Sequence, residues 1–588
     1  MESNTAKTIN IKKQSTGKRI WEYVGKNKKL LLIAFLFSVL GNTMSVFTPL
    51  LLGKAIDAIT EEGRVDFRTL RNILLVMLLL YVASSLFQWL MSVFSNRAAN
   101  YTVRELRKDA FRKLNRLPVS YFDRHSHGDV ISRLTNDMDA VSDGLFQGIT
   151  QIMSSVVIIG GSFIFMMTIS PLITLGVIIV TPLCFFLASF IAKHSKLMFR
   201  MQSSLTGELN GYAEEMIENQ KLVMSFGQEE KTAAHFKEQN QKLYHAGQKA
   251  QWYSSLTNPT TRLINNIAYV LVTVMGALLC LAGRLSVGNI ASFLTYSNLF
   301  AKPINEITAV TTQIQSAFAS AERIFALLEE EEETTALEPY EELRNCQGNV
   351  EFREVAFAYK KQVPLIEHFN LRVKKGSMVA IVGPTGSGKT TLVNLLMRFY
   401  ELDSGHIFID GKDILHIRKD ELRQSIGMVL QESWLIRGTV AENIAYGKDG
   451  ADREKVIEAA KAVKAHGFIM RLPNGYDTII EEDGRNLSQG QKQLLTIARV
   501  LIMDPPMLIL DEATSSIDTR TEIKIQEAFL KMMEGRTSFV IAHRLSTIRE
   551  ADTILVLEKG NIVEQGNHKE LLAKKGFYYR LYHSQFTS

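Results

Sequence analysis

Cysteine is scarce in this chain: Cys184, Cys280 and Cys346 are the only three, an odd number without metal-ligand spacing. Cys184 and Cys280 lie in apolar runs, where a free thiol behaves as a small hydrophobe, so neither a metal nor a redox role is expected of them. A dominant charge is missing too. Lys and Arg number 67 against 61 Asp and Glu, and the resulting +6 is spread along the sequence, which gives nucleic acid no basic face to bind. The stretch 1–29 is basic and polar, with no short apolar core before a cleavage site and no Arg- and Ser-rich character. Neither a signal peptide nor a transit sequence is expected.

The most informative absence is that of charge over long runs. At 588 residues the chain exceeds one domain, and its averages of 46% hydrophobic and 22% charged hide two unlike halves. Up to about residue 310, apolar blocks alternate with basic stretches; after about 340 the sequence reads as a soluble α/β protein. Spanning a bilayer takes roughly 20 apolar residues in a helix. Leu30 to Leu52 and Asn72 to Asn96 carry no charge, nor does the whole of Gly144 to Ala192, which Ser170-Pro171 breaks near its middle. Leu263 to Gly283 is a fifth run, and Leu285 to Ala301 begins a sixth that continues through Pro303 towards Ile307. Six spans are expected, over 30–52, 72–96, 146–168, 172–192, 263–283 and 285–307. A buried core helix explains one short apolar run, but not five or six of this length.

Basic residues set the orientation. Arg97 to Arg133 and Lys193 to Arg262 carry nine Lys and Arg each, the turn at Ser170 carries none, and the turn after the fifth run has only Arg284. Both termini and both long loops are therefore expected in the cytoplasm. The loops read as helix, with apolar residues three and four apart in "RELRKDAFRKLNRL" and in Gly211 to Leu243. They suit contact with a partner domain, although solvated connecting helices give the same pattern. No Asp, Glu, Lys or Arg lies within the first five runs, which argues against proton- or sodium-coupled transport. Met and aromatic residues in the runs (among them Phe47, Met77, Tyr81, Trp89, Met91, Met166 and Tyr296) face lipid, neighbouring helices or an adaptable apolar pocket. The acidic run Glu329 to Glu333 before Pro339 is expected to be a solvated spacer.

In the second half, "GPTGSGKT" runs from Gly383 to Thr390, between the apolar strand "MVAIV" and the helix "TLVNLLMRF". That is the strand–loop–helix setting of a phosphate-binding loop. Gly383, Gly386 and Gly388, with Pro384, Thr385 and Ser387 between them, let backbone N–H groups converge on phosphates at a helix start shared with Thr391. Lys389 brings positive charge to the β- and γ-phosphates, and the Thr390 hydroxyl can ligate Mg2+. "MLILDEATSSID", Met507 to Asp518, is a buried strand delivering Asp511 as a second Mg2+ ligand and Glu512 as a general base. An acid at a strand end also caps helices, a weaker reading beside a phosphate loop. In "NLSQGQKQLLTIARVL", Ser488, Gly490 and Gln491 open an amphipathic helix whose N–H groups suit another phosphate. A second phosphate-binding helix start suggests a nucleotide held between two chains.

The phosphate loop, the Ser488 segment and Asp511-Glu512, in that order, resemble an ABC ATPase, and with six spans in front the chain resembles a half-size ABC exporter of the type IV fold over residues 15 to 588. "YFDRHSHGDVISRLTND", with Phe122, Gly128, Arg133 and Asp137, is similar to the family's first coupling-helix region. The resemblance implies an all-α six-helix transmembrane domain with long cytoplasmic helical extensions, followed by an α/β P-loop ATP-binding cassette with a helical subdomain. The boundaries expected are 1–325, a linker at 326–345, and 346–588. It implies that Tyr359 stacks on adenine, that Gln431 touches Mg2+ and the attacking water, that Asp518 lies in a loop crossing the dimer interface, and that His543 contacts the γ-phosphate. Glu482 sits where exporters carry an acid facing the partner's loop, although "IEEDG" departs from the usual pattern.

Two departures bear on the partner. The signature reads Leu487-Ser488-Gln489-Gly490-Gln491 where the family has Gly at the third position, and Ser515-Ser516-Ile517-Asp518 replaces the commoner Ser-Ala-Leu-Asp. With Glu512 and His543 intact, this resembles the catalytically complete subunit of a heterodimeric multidrug exporter, favoured over a homodimer with a tolerated substitution. The resemblance implies ATP- and Mg2+-dependent export of hydrophobic or amphipathic compounds across a bacterial cytoplasmic membrane. A homodimeric lipid flippase or peptide exporter is the alternative. A chromosome-maintenance ATPase would have long heptads in place of charge-free spans, and a channel on this fold would show extra regulatory segments.

Overall fold

The computed structural model describes residues 15–60, 65–430, 433–448, 450–481, 484–511, 519–542 and 545–586. The chain divides into two compact units, the first of residues 15–115 and 126–330 and the second of 116–125 and 331–588.

The first unit is helical. Short α1 (Thr16–Gly25) precedes α2 (Lys28–Thr60) and α3 (Phe67–Leu114). After α4 (Val119–Arg124), which belongs to the second unit, come α5 (His127–Leu134), α6 (Asn136–Ile169) and α7 (Pro171–Glu218). The series ends with α8 (Gln220–Ser225), α9 (Glu229–Ser255), α10 (Thr257–Leu281) and α11 (Val287–Glu329). Among the described residues, Lys28–Ile59, Phe67–Leu114 and His127–Ile169 are long and apolar enough to cross a membrane, and Pro171–Val180 and Asn265–Leu281 are shorter apolar helices. At 1.5 Å per residue the 48-residue α3 is about 70 Å long, more than twice a ~30 Å hydrocarbon layer.

Ser170 separates α6 from α7, its side chain accepting the Ile173 N–H while Pro171 occupies the first helical position, where a missing N–H is harmless. The second long loop is not one helix. Asn219 ends α7, Gly227 takes φ +59° after α8, and α9 starts afresh, so periodicity carried across breaks that a single left-handed residue can impose. Pro303 is absorbed inside α11, as Pro49 is inside α2. These two helices approach backbone to backbone: a Cβ on Gly288 would lie 2.0 Å from the Gly53 carbonyl oxygen. Asp57 accepts from the Ser286 hydroxyl and the Gly288 N–H at 2.7 Å each, and Tyr296 donates to the Val46 carbonyl at 2.8 Å. Packing sorts the Met and aromatic residues. Met77, Met91, Met166 and Tyr296 are buried, whereas Phe47, Tyr81 and Trp89 face outward.

In the second unit, β1 (Val350–Phe357), β2 (Ile366–Val373), β4 (Ser404–Ile409) and β5 (Lys412–Asp413) form an antiparallel sheet ordered β2-β1-β4-β5. A second sheet runs β12-β11-β3-β10-β9-β6, from β3 (Met378–Val382), β6 (Ile426–Val429), β9 (Met507–Asp511), β10 (Thr537–Ile541), β11 (Thr553–Glu558) and β12 (Asn561–Gly566). It is parallel except for edge strand β12. Its central strands are covered on both faces, which is why they read as unbroken apolar runs. A short two-stranded antiparallel ladder, β7 (Gly438–Thr439) with β8 (Ile479–Ile480), joins the two ends of the helical lobe's first part. Helix α12 (Lys389–Leu396) follows β3, and α13 (Lys419–Gln424) leads into β6. The lobe comprises α14 (Val440–Ala445), α15 (Arg453–Ala462), α16 (His466–Ile469) and α17 (Gln489–Met503).

Residues 116–125 join the second unit, because Tyr121 is buried there and the Glu333 N–H donates to the Arg116 carbonyl at 2.8 Å. In the acidic run Glu329 to Glu332 are exposed, whereas Glu333 pairs with Arg423 and, at 3.2 Å, with Lys419. Burial alone would push its carboxyl up, but the Arg423 hydrogen bonds and the Lys419 charge outweigh burial and hold it below the usual range.

Candidate functional site

The parallel strands β3, β6, β9 and β10 end along one edge, since Ile541 lies opposite both Ile381 and Asp511, and Leu510 opposite Val429. Ligands of open α/β sheets bind at such carboxyl ends. Residues 383–388 leave β3 there. Gly386 and Gly388 take φ +82° and +97°, which an L side chain resists, and turn the backbone into the start of α12. The neighbouring turn holds the loop in place: the Gly560 N–H donates to the Ser387 carbonyl at 3.0 Å, and a Cβ on Gly560 would lie 1.4 Å from the Leu365 carbonyl oxygen.

Lys389 Nζ curls over this loop and donates to the Gly383 and Pro384 carbonyls at 2.8 and 3.0 Å. Burial lowers its pKa, and the Asp511 carboxylate at the end of β9 pulls it back up. The lysine is thus a half-buried cation with one nearby acid, poised for further negative charge. Ser387 is 2% exposed and its hydroxyl has no hydrogen-bond partner among the described residues, an arrangement that costs about 1–3 kcal/mol unless a ligand oxygen supplies one. Thr390 exposes its side chain at the first turn of α12, whereas Thr391 is buried. The hard oxygen donors of Thr390 and Asp511 fit Mg2+, which keeps waters and phosphate oxygens in its shell.

Tyr359 is 49% exposed, an open aromatic face beside the loop, with its hydroxyl 3.2 Å from Thr391 Oγ1. Its ring stands edge-on to Phe357 and Tyr400, with centroids 4.9 and 5.1 Å away. Tyr400, which sequence reasoning does not single out, donates to the Asp123 carboxylate on α4. A "RFY" after a helix carries no signal of its own; only folding brings Asp123 to it. Arg398 is equally silent in the sequence. It is 1% exposed and gives Nη1 to the carbonyls of Ile414, Leu415 and Ile417, tying the end of α12 to the β5 region.

Ser488 caps α17 in a reciprocal box, its N–H donating to Gln491 Oε1 at 2.9 Å and its hydroxyl accepting the Gln491 N–H. Ser488 and Gln489 are exposed, Gly490 is buried, and among the described residues no hydrogen bond joins them to residues 383–391 of the same chain. The edge therefore brings together Lys389, Thr390, Asp511 and Tyr359 but not the Ser488 segment. Gln431, Glu482, Glu512, Asp518 and His543 lie outside the described residues. Among the described residues no cluster of three His, Cys, Asp or Glu is placed to hold a metal, so a cation here depends on phosphate oxygens and water as well.

Comparison with known proteins agrees with this layout. Residues 31–304 match the family described as the ABC transporter transmembrane region, and residues 366–515 match the ABC transporter family. The chain is 41% identical over 579 residues to the uncharacterized ABC transporter ATP-binding protein YfiC of Bacillus subtilis, covering 97% of this chain and 94% of the relative. It is 44% identical over 537 residues to the fatty acid ABC transporter ATP-binding/permease protein of Mycobacterium bovis, covering 91% and 84%. The solved structure of a bacterial Atm1-family ABC exporter with ATP bound superposes with a TM-score of 0.78 at 30% identity, over 95% of this chain and 98% of that one.

Proposed function

The chain belongs to the ABC transporter family, and from that premise we propose that it exports hydrophobic or amphipathic compounds as one half of a dimer. Its helical region is a transmembrane domain, it binds ATP, and ATP hydrolysis is coupled to transport. The observation that carries the proposal is that Lys389 curls over the loop at the carboxyl ends of the strands while the Ser488 segment caps its own helix, with no hydrogen bond to that loop among the described residues. A nucleotide seated on Gly383 to Thr391 needs a second chain's signature to enclose it. The tip of the second long loop points the same way, since Ile217, Met224 and Phe226 are 73%, 62% and 70% exposed and want an apolar partner.

In this reading all six apolar helices, α2, α3, α6, α7, α10 and α11, cross a bacterial cytoplasmic membrane with both termini inside. Tyr359 stacks on adenine. Residues 383–388 and Lys389 bind the phosphates, and Thr390, Asp511 and Gln431 hold Mg2+, which screens the phosphate charge. Glu512 takes the proton of the attacking water, and His543 contacts the γ-phosphate. Closing two cassettes on ATP moves the helices through α4 and α8, and hydrolysis resets them. An amphipathic cargo fits the first five spans, which carry no Asp, Glu, Lys or Arg, and the fatty acid transporter of similar sequence.

The partner is a different half-transporter. Gln489, exposed in the signature, faces the weaker of two unequal ATP sites, and the complete set around Glu512 serves the stronger one. The test is to reconstitute this chain alone in lipid and measure ATP hydrolysis with oligomeric state. Feeble hydrolysis with ATP still bound supports the heterodimer, and a robust homodimeric ATPase overturns it. Glu512→Gln is expected to abolish ATP-driven uptake into inside-out vesicles while ATP binding persists; undiminished uptake would remove Glu512 from the role of base.

A further inference from the structure

Residues of α1, α2, α6 and α11 line an open-sided cavity of about 650 Å3. That size is in the ~300–1,000 Å3 range of small-molecule sites. Its wall is almost wholly hydrocarbon, with Trp21, Phe35, Gly148, Ile152 and Phe318 among its lining residues and Lys28 the only charged one. A wall this apolar offers water too few of the two to four partners that an enclosed molecule needs. Lys28 stands at the mouth, two residues before the charge-free run from Leu30, which puts it at headgroup level. From there to Phe35 the lining descends about 10 Å along α2.

Charge at the mouth is one-sided. Residues 15–29 hold Lys18, Arg19, Lys26, Lys28 and Lys29 against Glu22 alone. Two of these cations are engaged: Arg19 pairs with Glu329 and lies 4.1 Å over the Phe325 ring, and Lys26 lies 4.6 Å over Tyr23. Lys28 has no carboxylate partner among the described residues, and Trp21 is 68% exposed beside it. An unpaired cation above an apolar shaft complements one kind of molecule, an acid head on a hydrocarbon tail.

We propose that this cavity binds the acyl chain of an anionic amphiphile from the cytoplasmic leaflet, with its carboxylate or phosphate on Lys28. The inference rests on the membrane placement of the helical unit and not on the exported cargo, so transport can fail while it stands. Trp21 provides the readout. In full-length protein with Trp89, Trp252 and Trp434 replaced by Phe, brominated acyl chains in the cavity quench Trp21 at contact. The probes are 9,10-dibromostearate, dibromo-phosphatidylglycerol and dibromo-phosphatidylcholine. Saturable quenching is expected from the anionic probes, weaker by about fivefold for phosphatidylcholine and falling to that level in Lys28→Gln, as loss of one interfacial cation predicts. Gly148→Leu, which fills the shaft, is expected to remove the saturable component in every probe. Saturation by the stearate alone assigns a free fatty acid, and saturation by phosphatidylglycerol alone assigns a phospholipid. Quenching that merely tracks the bromolipid fraction, that ignores both substitutions, or that disappears when a second chain assembles over the cavity overturns the proposal.

Discussion

Tyr400 donates its phenol proton to the carboxylate of Asp123, 277 positions earlier, while its ring stands edge-on to Tyr359, the residue proposed to stack on adenine. Burial and the Asp123 charge both push the phenol's pKa up, so it remains a donor throughout the neutral range. The contact ties α4 to the nucleotide end of the second unit. In Tyr400→Phe the ring contact persists and the hydrogen bond goes, worth about 1 kcal/mol at this exposed carboxylate. Amide exchange across 119–124 should rise roughly fivefold, and ATP should no longer slow it, with ATP affinity within about twofold. Unchanged exchange would show that α4 is held by other contacts.

Lys389→Met should separate binding from folding. The substitution removes a half-buried ammonium along with its two loop bonds, opposing effects that leave the apo melting temperature nearly unchanged, within about 1 kcal/mol. The upward shift produced by ATP should vanish. The wild-type lysine also sets a pH trend. Burial lowers its pKa in the free protein and phosphates raise it, so ATP affinity should fall as pH climbs through the alkaline range, a slope absent from the Met variant. An equal slope in both would assign it to another group.

Gly560→Ala and Gly535→Ala form a matched pair. Both glycines have positive φ, +79° and +73°, but a Cβ at 560 meets backbone at 1.4 Å while one at 535 has open space. Left-handed strain alone costs about 1 kcal/mol, expected for Gly535→Ala. Gly560→Ala should cost about 2–4 kcal/mol and weaken ATP binding, because the turn carries the N–H that holds Ser387. Thermal unfolding with and without ATP decides between them.

Glu333→Gln should weaken the docking of the acidic run in a pH-dependent way. The folded carboxyl is held below its unfolded pKa by Arg423 and Lys419, so its contribution is present above the unfolded value of ~4.3 and is lost as pH falls through the depressed one. The variant should be about 1–2 kcal/mol less stable at pH 7 and indistinguishable from wild type in acid. A difference that survives in acid would point to packing instead.

Much of this was legible because its signals are short-range. The glycine spacing of 383–388 between a buried strand and a helix, the Ser488–Gln491 cap and the Ser170-Pro171 break each lie within a few residues of what they specify. Helical periodicity served well for α3 and poorly near α8, where Asn219 and Gly227 interrupt a pattern that continues on either side.

The sequence by itself determined the charge-free helices, the phosphate loop and the order of the two units, since each follows from backbone preference and local burial. Only the tertiary structure decided which distant groups meet. Asp511 reaches the field of Lys389 because β10 separates their strands, Glu333 becomes a docking residue because Arg423 and Lys419 fold beneath it, and Tyr400 finds Asp123 on a helix that left the first unit. The cavity beside Lys28 is likewise the joint product of four helices. Such pairings leave no periodic trace, because each is set by which faces bury the most apolar surface together and not by the residues on either side in the chain.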